Sequence, residues 1–272
     1  SSVRCTQESG SIEILHTAAA ASKRTGDAYH AALSLLDLSE IYLELNLSVD
    51  AREMAEQAHA RFSELGMGYE AAKALANAAT SHGQEGKAFK ALEIYATART
   101  GMVSEQNHAW PSLIDLYQAI LLVDEGRLFE ARRLCLAALA CFEQSGLSSR
   151  AAMCHLLLAR IALRLDDAAD GRRRCDNALA QLARAQSPIL TYHARLLQGH
   201  ALTRVGDRAG AYASYHTARE ALETLRSRLN GEELKIAFVK NKGEVYERLV
   251  QLCLEGETAT GGFEEAFSHI EQ

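Results

Sequence analysis

"EGKAFKALEIYATAR" at residues 85–99 and "EGRLFEARRLCLAAL" at residues 125–139 are one phrase written twice, forty residues apart. Each places an acid–glycine pair ahead of an apolar-periodic run, and the alanines coincide, Ala91 with Ala131 and Ala98 with Ala138. Stepping outward by forty gives Ala51, Ala91, Ala131, Gly171 and Ala211, all of the smallest side-chain type. Five positions earlier stand Asn46, Gly86, Gly126, Asp166 and Gly206, residues that end helices or make turns. Seven positions after the small residue stand Ala58, Ala98, Ala138, Ala178 and Ala218. No gap is needed from 46 to 218, and self-similarity at a fixed period marks a repeat architecture.

The physics of one unit follows from these columns. An apolar-periodic first helix ("LIDLYQAILLVDE", 113–125) is followed by a turn and a second helix ("LFEARRLCLAALACF", 128–142). Small residues early in the second helix let the two backbones approach closely. Four residues beyond them, Ala55, Tyr95, Cys135, Cys175 and Tyr215 are placed to fill the gap to the next unit. One hairpin cannot bury both of its faces, so several must stack into a continuous core. The predicted fold is therefore all-α, a solenoid of antiparallel helix pairs. Residues 1–26 are expected to hold the second helix of a preceding repeat ("IEILHTAAAASKRTGD"), and 27–229 five hairpins. A long helix and a degenerate terminal repeat are expected over 230–272, leading towards a domain outside this sequence.

Composition agrees. Of 272 residues only two are proline, Pro111 and Pro188, and aromatics make up 6%, which suits long alanine-rich helices. No apolar run approaches the roughly 20 residues that span a bilayer, and "SSVRCTQESG" lacks the charged start and apolar stretch of a secretory leader. The start at Ser and the end at Gln272 in mid-helix read as an excerpt of a longer chain. The six cysteines form no C-x-x-C pair and are read as reduced thiols in a cytoplasmic protein, Cys135 and Cys175 as core filler. The net charge of −6 conceals an uneven distribution. Residues 1–130 carry 10 basic and 18 acidic side chains, whereas residues 131–228 carry 15 basic, all arginine, and 8 acidic.

The columns resemble the tetratricopeptide repeat (TPR), through Leu75, Ala79, Gly86, Ala91, Tyr95 and Ala98 in one unit and Gly199, Gly206, Ala211, Tyr215 and Ala218 in another. The common repeat of that family is about 34 residues. A forty-residue unit is similar to the longer-helix variety of kinesin light chains and bacterial signalling proteins. The resemblance implies a right-handed solenoid that binds partners on the face lined by its first helices. Over the last 45 or so residues, Phe238, Val245, Tyr246, Leu249, Val250, Leu252, Ala266, Phe267, Ile270 and Glu271 resemble the junction ahead of a CHAT domain, the caspase-like protease domain of bacterial TPR-CHAT proteins. That implies a recognition or regulatory arm whose protease dyad would lie beyond Gln272. The alternative is the ligand-sensing arm of a bacterial signalling or transcription-regulator protein.

No catalytic constellation is present. The chain lacks G-x-x-x-x-G-K-[ST], H-E-x-x-H and G-x-S-x-G. Cys154 and His155 adjoin in sequence and so point in different directions on a helix. No metal site and no cofactor is expected, and the chain is not read as an enzyme. Two columns at the repeat period are placed on the inner face instead: Glu40, Thr80, Ile120, Arg160 and His200, then Glu44, Gln84, Asp124, Arg164 and Arg204 four residues on. That wall passes from acidic to basic. Arg160, Arg164, His200 and Arg204 are candidates for holding an acidic segment of a protein or peptide partner, because arginine supplies forked donors; the alternative is that these arginines cover exposed helix faces and pair with neighbouring acids such as Asp166 and Asp167. Asn77, one turn before Thr80, is a candidate donor to a bound peptide backbone. The run Arg172–Arg174 is assigned to an outer face, and without interleaved aromatics it does not point to nucleic acid.

Overall fold

The structure is a computed structural model that describes residues 27–104, 109–185, 187–227 and 243–255. Its helices are α1 (Ala28–Glu44), α2 (Ser48–Glu64), α3 (Gly68–Gln84), α4 (Ala88–Ser104), α5 (Ala109–Asp124), α6 (Leu128–Gln144), α7 (Ser148–Arg164), α8 (Ala168–Ala185), α9 (Pro188–Arg204), α10 (Arg208–Arg226) and α11 (Glu244–Glu255). Among the described residues there is no strand. One compact unit contains α1–α6 and a second contains α7–α11.

The forty-residue period resolves into two half-steps. A helix of 17 residues plus a three-residue turn repeats every twenty positions, as in α1, α2 and α3. The turns share one chemistry. Asn46 N donates to Leu43 O at 3.2 Å and Leu47 N to Tyr42 O at 2.9 Å, and the same crossed pair recurs at Gly66–Met67, Gly86–Lys87, Gly126–Arg127, Asp166–Asp167 and Gly206–Asp207. These bonds satisfy carbonyls that a helix end leaves orphaned, with the central residue in the left-handed region. Glycine takes that conformation without steric cost, as Gly86 does at φ 78°, whereas Asn46 and Asp166 adopt it with side chains, at φ 60° and 63°. The next helix is then capped in several places by aspartate. Asp27 accepts from His30 N at 3.1 Å, Asp167 from Asp170 N at 2.9 Å and Asp207 from Gly210 N at 2.9 Å. Pro188 stands at the start of α9, where a missing N–H removes no helical bond.

The small-residue columns do what their spacing requires. Ala51, Ala91, Ala131, Gly171 and Ala211 are buried, as are the five alanines seven positions on. Ala55, Tyr95, Cys135, Cys175 and Tyr215 fill the core at 0–3% exposure. Within each unit every helix packs on its chain neighbour, and first helices also pack on first helices, α1 on α3, α3 on α5 and α7 on α9. Phe62 and Phe142 close the far ends of α2 and α6, each fully buried, and each such burial is worth about 1.5–3 kcal/mol. Near the end of the chain, the expected long helix with Leu234, Phe238, Val245, Leu249 and Leu252 on one face is described only from Glu244, after a turn at Gly243. Val245, Leu249 and Leu252 are buried there. Leu234, Phe238, residues 1–26 and the junction residues Ala266, Phe267, Ile270 and Glu271 lie outside the described residues.

Candidate partner-binding faces

In the first unit, the inner column begins with Glu40 on α1, which pairs with Lys73 Nζ on α3 at 2.7 Å. The same ammonium stands 5.5 Å over the ring of Trp110 on α5, and Trp110 meets Tyr69 edge-on at 5.8 Å. One lysine thus links three successive first helices through an ion pair and a cation–π contact. Asn77 is 8% exposed and its amide nitrogen donates to Ser39 Oγ at 2.8 Å, so that donor is committed between α3 and α1. Thr80 shares a 2.8 Å hydrogen bond with the Tyr95 hydroxyl, whose ionisation is pushed far up by burial. Gln84 spans to the preceding hairpin, donating to Leu43 O at 3.3 Å and accepting from Ser48 Oγ at 2.9 Å. Glu44 and Asp124 are exposed at the ends of α1 and α5.

In the second unit, Arg160 is half-buried on α7 and Arg164 is exposed at its C-terminus. Arg204 Nη1 donates to the Leu163 carbonyl and lies 3.0 Å from Asp166 Oδ1, which brings its guanidinium to the end of the helix that carries Arg160 and Arg164. The Asp166 side chain is 93% exposed, so this carboxylate sits on Arg204 in open solvent. His200 is covered. Its ring lies 5.6 Å from Tyr215, and its Nε2 is 3.4 Å from Glu244 Oε1 on α11 without the alignment of a hydrogen bond. Burial lowers its pKa, with Glu244 opposing and Arg248 and Arg204 reinforcing the effect. Glu244 in turn pairs with Arg248 one turn on, at 3.2 Å.

The two columns therefore fall on the first-helix faces of two units, six acidic or neutral residues in one and four basic residues in the other. Sequence reasoning missed Lys73 and Trp110 in the first unit and Glu244 and Arg248 in the second. Lys73 lies one turn before Asn77 on the same helical face, a signal that was available. Glu244 follows the break in register, where stepping by forty fails. Elsewhere Arg172 and Arg173 are exposed at the start of α8, Arg173 pairing with Asp170 at 2.5 Å, whereas the Arg174 side chain is largely covered and lies 3.3 Å from the same carboxylate.

No protein-family model matches the chain, and no curated protein matches it in sequence. Among solved structures it is similar to the crystal structure of the APC/C hetero-tetramer Cut9-Hcn1, with a TM-score of 0.70 and 16% identity over 97% of this chain. The match spans 44% of the Cut9-Hcn1 chain, so this chain is less than half its length. It is also similar to BtubC (BKLC) from P. vanneervenii, with a TM-score of 0.59 and 16% identity over 84% of this chain and 87% of that one. These likenesses show the fold, a TPR-type α-solenoid of helix pairs.

Proposed function

We propose that this chain is a non-enzymatic scaffold for protein–protein contacts and that Arg160, Arg164 and Arg204 receive an acidic segment of a partner. The observation that carries this reading is the Asp166 carboxylate on Arg204, 3.0 Å away and 93% exposed. It marks a carboxylate position that a partner's acid can take over at little cost, since a solvent-exposed ion pair is worth about 0–1 kcal/mol. His200 lies beside it with Glu244 on its imidazole, so His200 positions α11 while the three arginines face the partner.

The array serves as the recognition arm of a CHAT-type protease in this reading. Support comes from the resemblance of Val245, Tyr246, Leu249 and Leu252 to the junction ahead of that domain, and in α11 Val245 and Leu249 are fully buried while Tyr246 donates to Glu223 on α10. The reading frame beyond codon 272 tests the arm: a caspase-like His–Cys domain supports it, and any other domain overturns it.

The groove is tested with a fluorescein-labelled, unstructured Asp/Glu-rich peptide and fluorescence anisotropy. Binding should weaken steeply with salt, and should fall at least tenfold when Arg160, Arg164 and Arg204 are changed to glutamate. Unchanged binding by that variant, with its helical circular dichroism intact, overturns the assignment.

A further inference from the structure

The outward face of α6 carries two large apolar side chains in solvent. Phe129 is 75% exposed and Leu136 is 40% exposed, seven residues apart and so on one side of the helix. Ala140 continues the stripe and is exposed. From Phe129 to Ala140 it runs about 16 Å along the axis. The fold does not require it. At the register of Leu136 the other second helices place Glu56, Ala96, Asp176 and His216. At the register of Phe129, α2 and α4 carry Val49 and Phe89, likewise exposed at 53% and 77%, whereas α8 and α10 have Ala169 and Ala209, so a large ring has no packing duty there.

Charge brackets the stripe. Arg132 and Arg133 lie between Phe129 and Leu136, one towards each flank, and both are exposed without an ion pair or hydrogen bond among the described residues. The nearby acid Glu130 is already held by Arg127 through two bonds of 2.8 and 2.7 Å. An apolar strip of one-helix width with free guanidinium groups on its flanks is complementary to an amphipathic helix with apolar residues at i, i+4 and i+7 and carboxylates beside them. A broad anionic bilayer fits less well, because the outward faces of α2 and α4 in the same unit present Glu53, Glu56 and Glu93.

We infer that the outward face of α6, through Phe129, Leu136, Arg132 and Arg133, docks an acidic amphipathic helix of a partner protein. This surface lies on a second helix, apart from the arginines of the first-helix face, and it stands whether or not those bind a partner.

The experiment uses the full chain and a labelled synthetic helix with leucines at i, i+4 and i+7 flanked by glutamates. A control helix has the same leucines flanked by lysines. The acidic helix should bind and the basic one should not. Phe129→Ala with Leu136→Gln should weaken binding about tenfold or more, as loss of interface anchors does. Arg132→Glu with Arg133→Glu should do the same. Both α6 pairs substitute residue types that exposed helix positions accept, and retained melting temperatures confirm folding. Equal binding of both helices overturns the inference, as does binding that survives both α6 variants. It is equally overturned if the α6 variants abolish capture by phosphatidylserine vesicles or a concentration-dependent dimer in sedimentation while binding of the acidic helix persists, which would assign the face to a membrane or to a second copy.

Discussion

The guanidinium of Arg204 donates to the main-chain carbonyl of Leu163, forty-one residues earlier in the chain. Gln84 makes the equivalent bond to the Leu43 carbonyl at 3.3 Å. In both cases the last residue of a first helix reaches back to a carbonyl at the C-terminal end of the first helix before it. That carbonyl already accepts one turn N–H, from Asp166 or Asn46, and the side chain uses its second lone pair. Among the described residues, the two braced turns are also the two with a residue other than glycine in the left-handed region, Asn46 and Asp166.

The coupling predicts non-additive energetics. Arg204→Ala should destabilise the fold by about 1 kcal/mol through the lost hydrogen bond. Asp166→Gly relieves a backbone cost of about 1 kcal/mol, and in the wild type that gain is reduced by loss of the surface ion pair with Arg204. In the Arg204→Ala background the full gain should appear. Urea titration of all four proteins measures it, and an identical Asp166→Gly effect in both backgrounds would show that the brace and the turn are independent.

Gly199 is a position of close approach. A Cβ built there would lie 2.3 Å from Tyr215 Cε1, and Tyr215 is 1% exposed with its hydroxyl 3.3 Å from Thr203 Oγ1. Gly199→Ala gains helix propensity of about 1 kcal/mol but overpacks the contact, which costs about 1–3 kcal/mol. Net destabilisation is expected in thermal melts, and Gly199→Ala combined with Tyr215→Leu should recover much of it.

The repeat was legible because its constraints are steric and local. A helix pair in close contact admits only small side chains at 51, 91, 131, 171 and 211, and a left-handed turn favours the residues found at 46, 86, 126, 166 and 206. The half-period was also visible in Gly66 and Gly146, each twenty residues from a turn already recognised, with φ of 71° and 66°. The faces were legible only as columns. Whether a column residue is free or engaged depends on partners in other helices, which spacing does not encode. Asn77 and Ser39 are 38 residues apart, and Glu244 meets His200 only after the register has broken. The α6 stripe escaped because the period was used to find small residues and turns, whereas Leu136 stands where the other second helices place Glu56, Ala96, Asp176 and His216.

Two imidazoles whose pKa burial lowers, His82 and His200, contribute to the acid limb of stability. His82 is 4% exposed with an unpartnered Nδ1, and its pKa is lowered by burial first and then by Lys90, with smaller effects from Arg52 and Lys87 and an opposing one from Glu85. His200 is shifted in the same direction by burial. Both bind a proton more readily unfolded than folded, so the folded state is fully favoured above the unfolded pKa of about 6.5 and loses stability as pH falls below it. The slope is at most about 1.4 kcal/mol per pH unit for each histidine. Urea midpoints should drop between pH 7 and pH 5, and His82→Gln should flatten the curve. A midpoint that rises on acidification in this window would contradict the burial account.

Thiol reactivity follows the core positions. Burial pushes the Cys175 thiol up to about 12, and Cys135 and Cys154 are fully buried, whereas Cys141 is partly exposed. The thiolate is the reacting species, so at pH 8 a buried, raised thiol is inert. Iodoacetamide labelling of the native protein, read by peptide mass spectrometry, should modify Cys141 well before Cys135, Cys154 or Cys175, and denaturant should equalise them. Rapid native labelling of Cys175 would contradict its place in the core.

Asn77 separates a structural from a partner-facing role within one column. Its amide donates to Ser39 Oγ at 2.8 Å, and that hydroxyl donates in turn to Leu36 O at 2.6 Å, so the chain ends on a main-chain carbonyl of α1. Both side chains are buried, at 8% and 0% exposure. Asn77→Ala therefore removes a buried donor and should cost about 1–2 kcal/mol, seen as a lower urea midpoint. Gln84→Ala, at an exposed helix end, should cost less. If Asn77 instead served a bound peptide, its alanine variant would melt like the wild type while losing affinity for the Asp/Glu-rich peptide. The hydrogen-bond chain predicts the reverse, a weakened fold with unchanged affinity at temperatures where the variant remains folded.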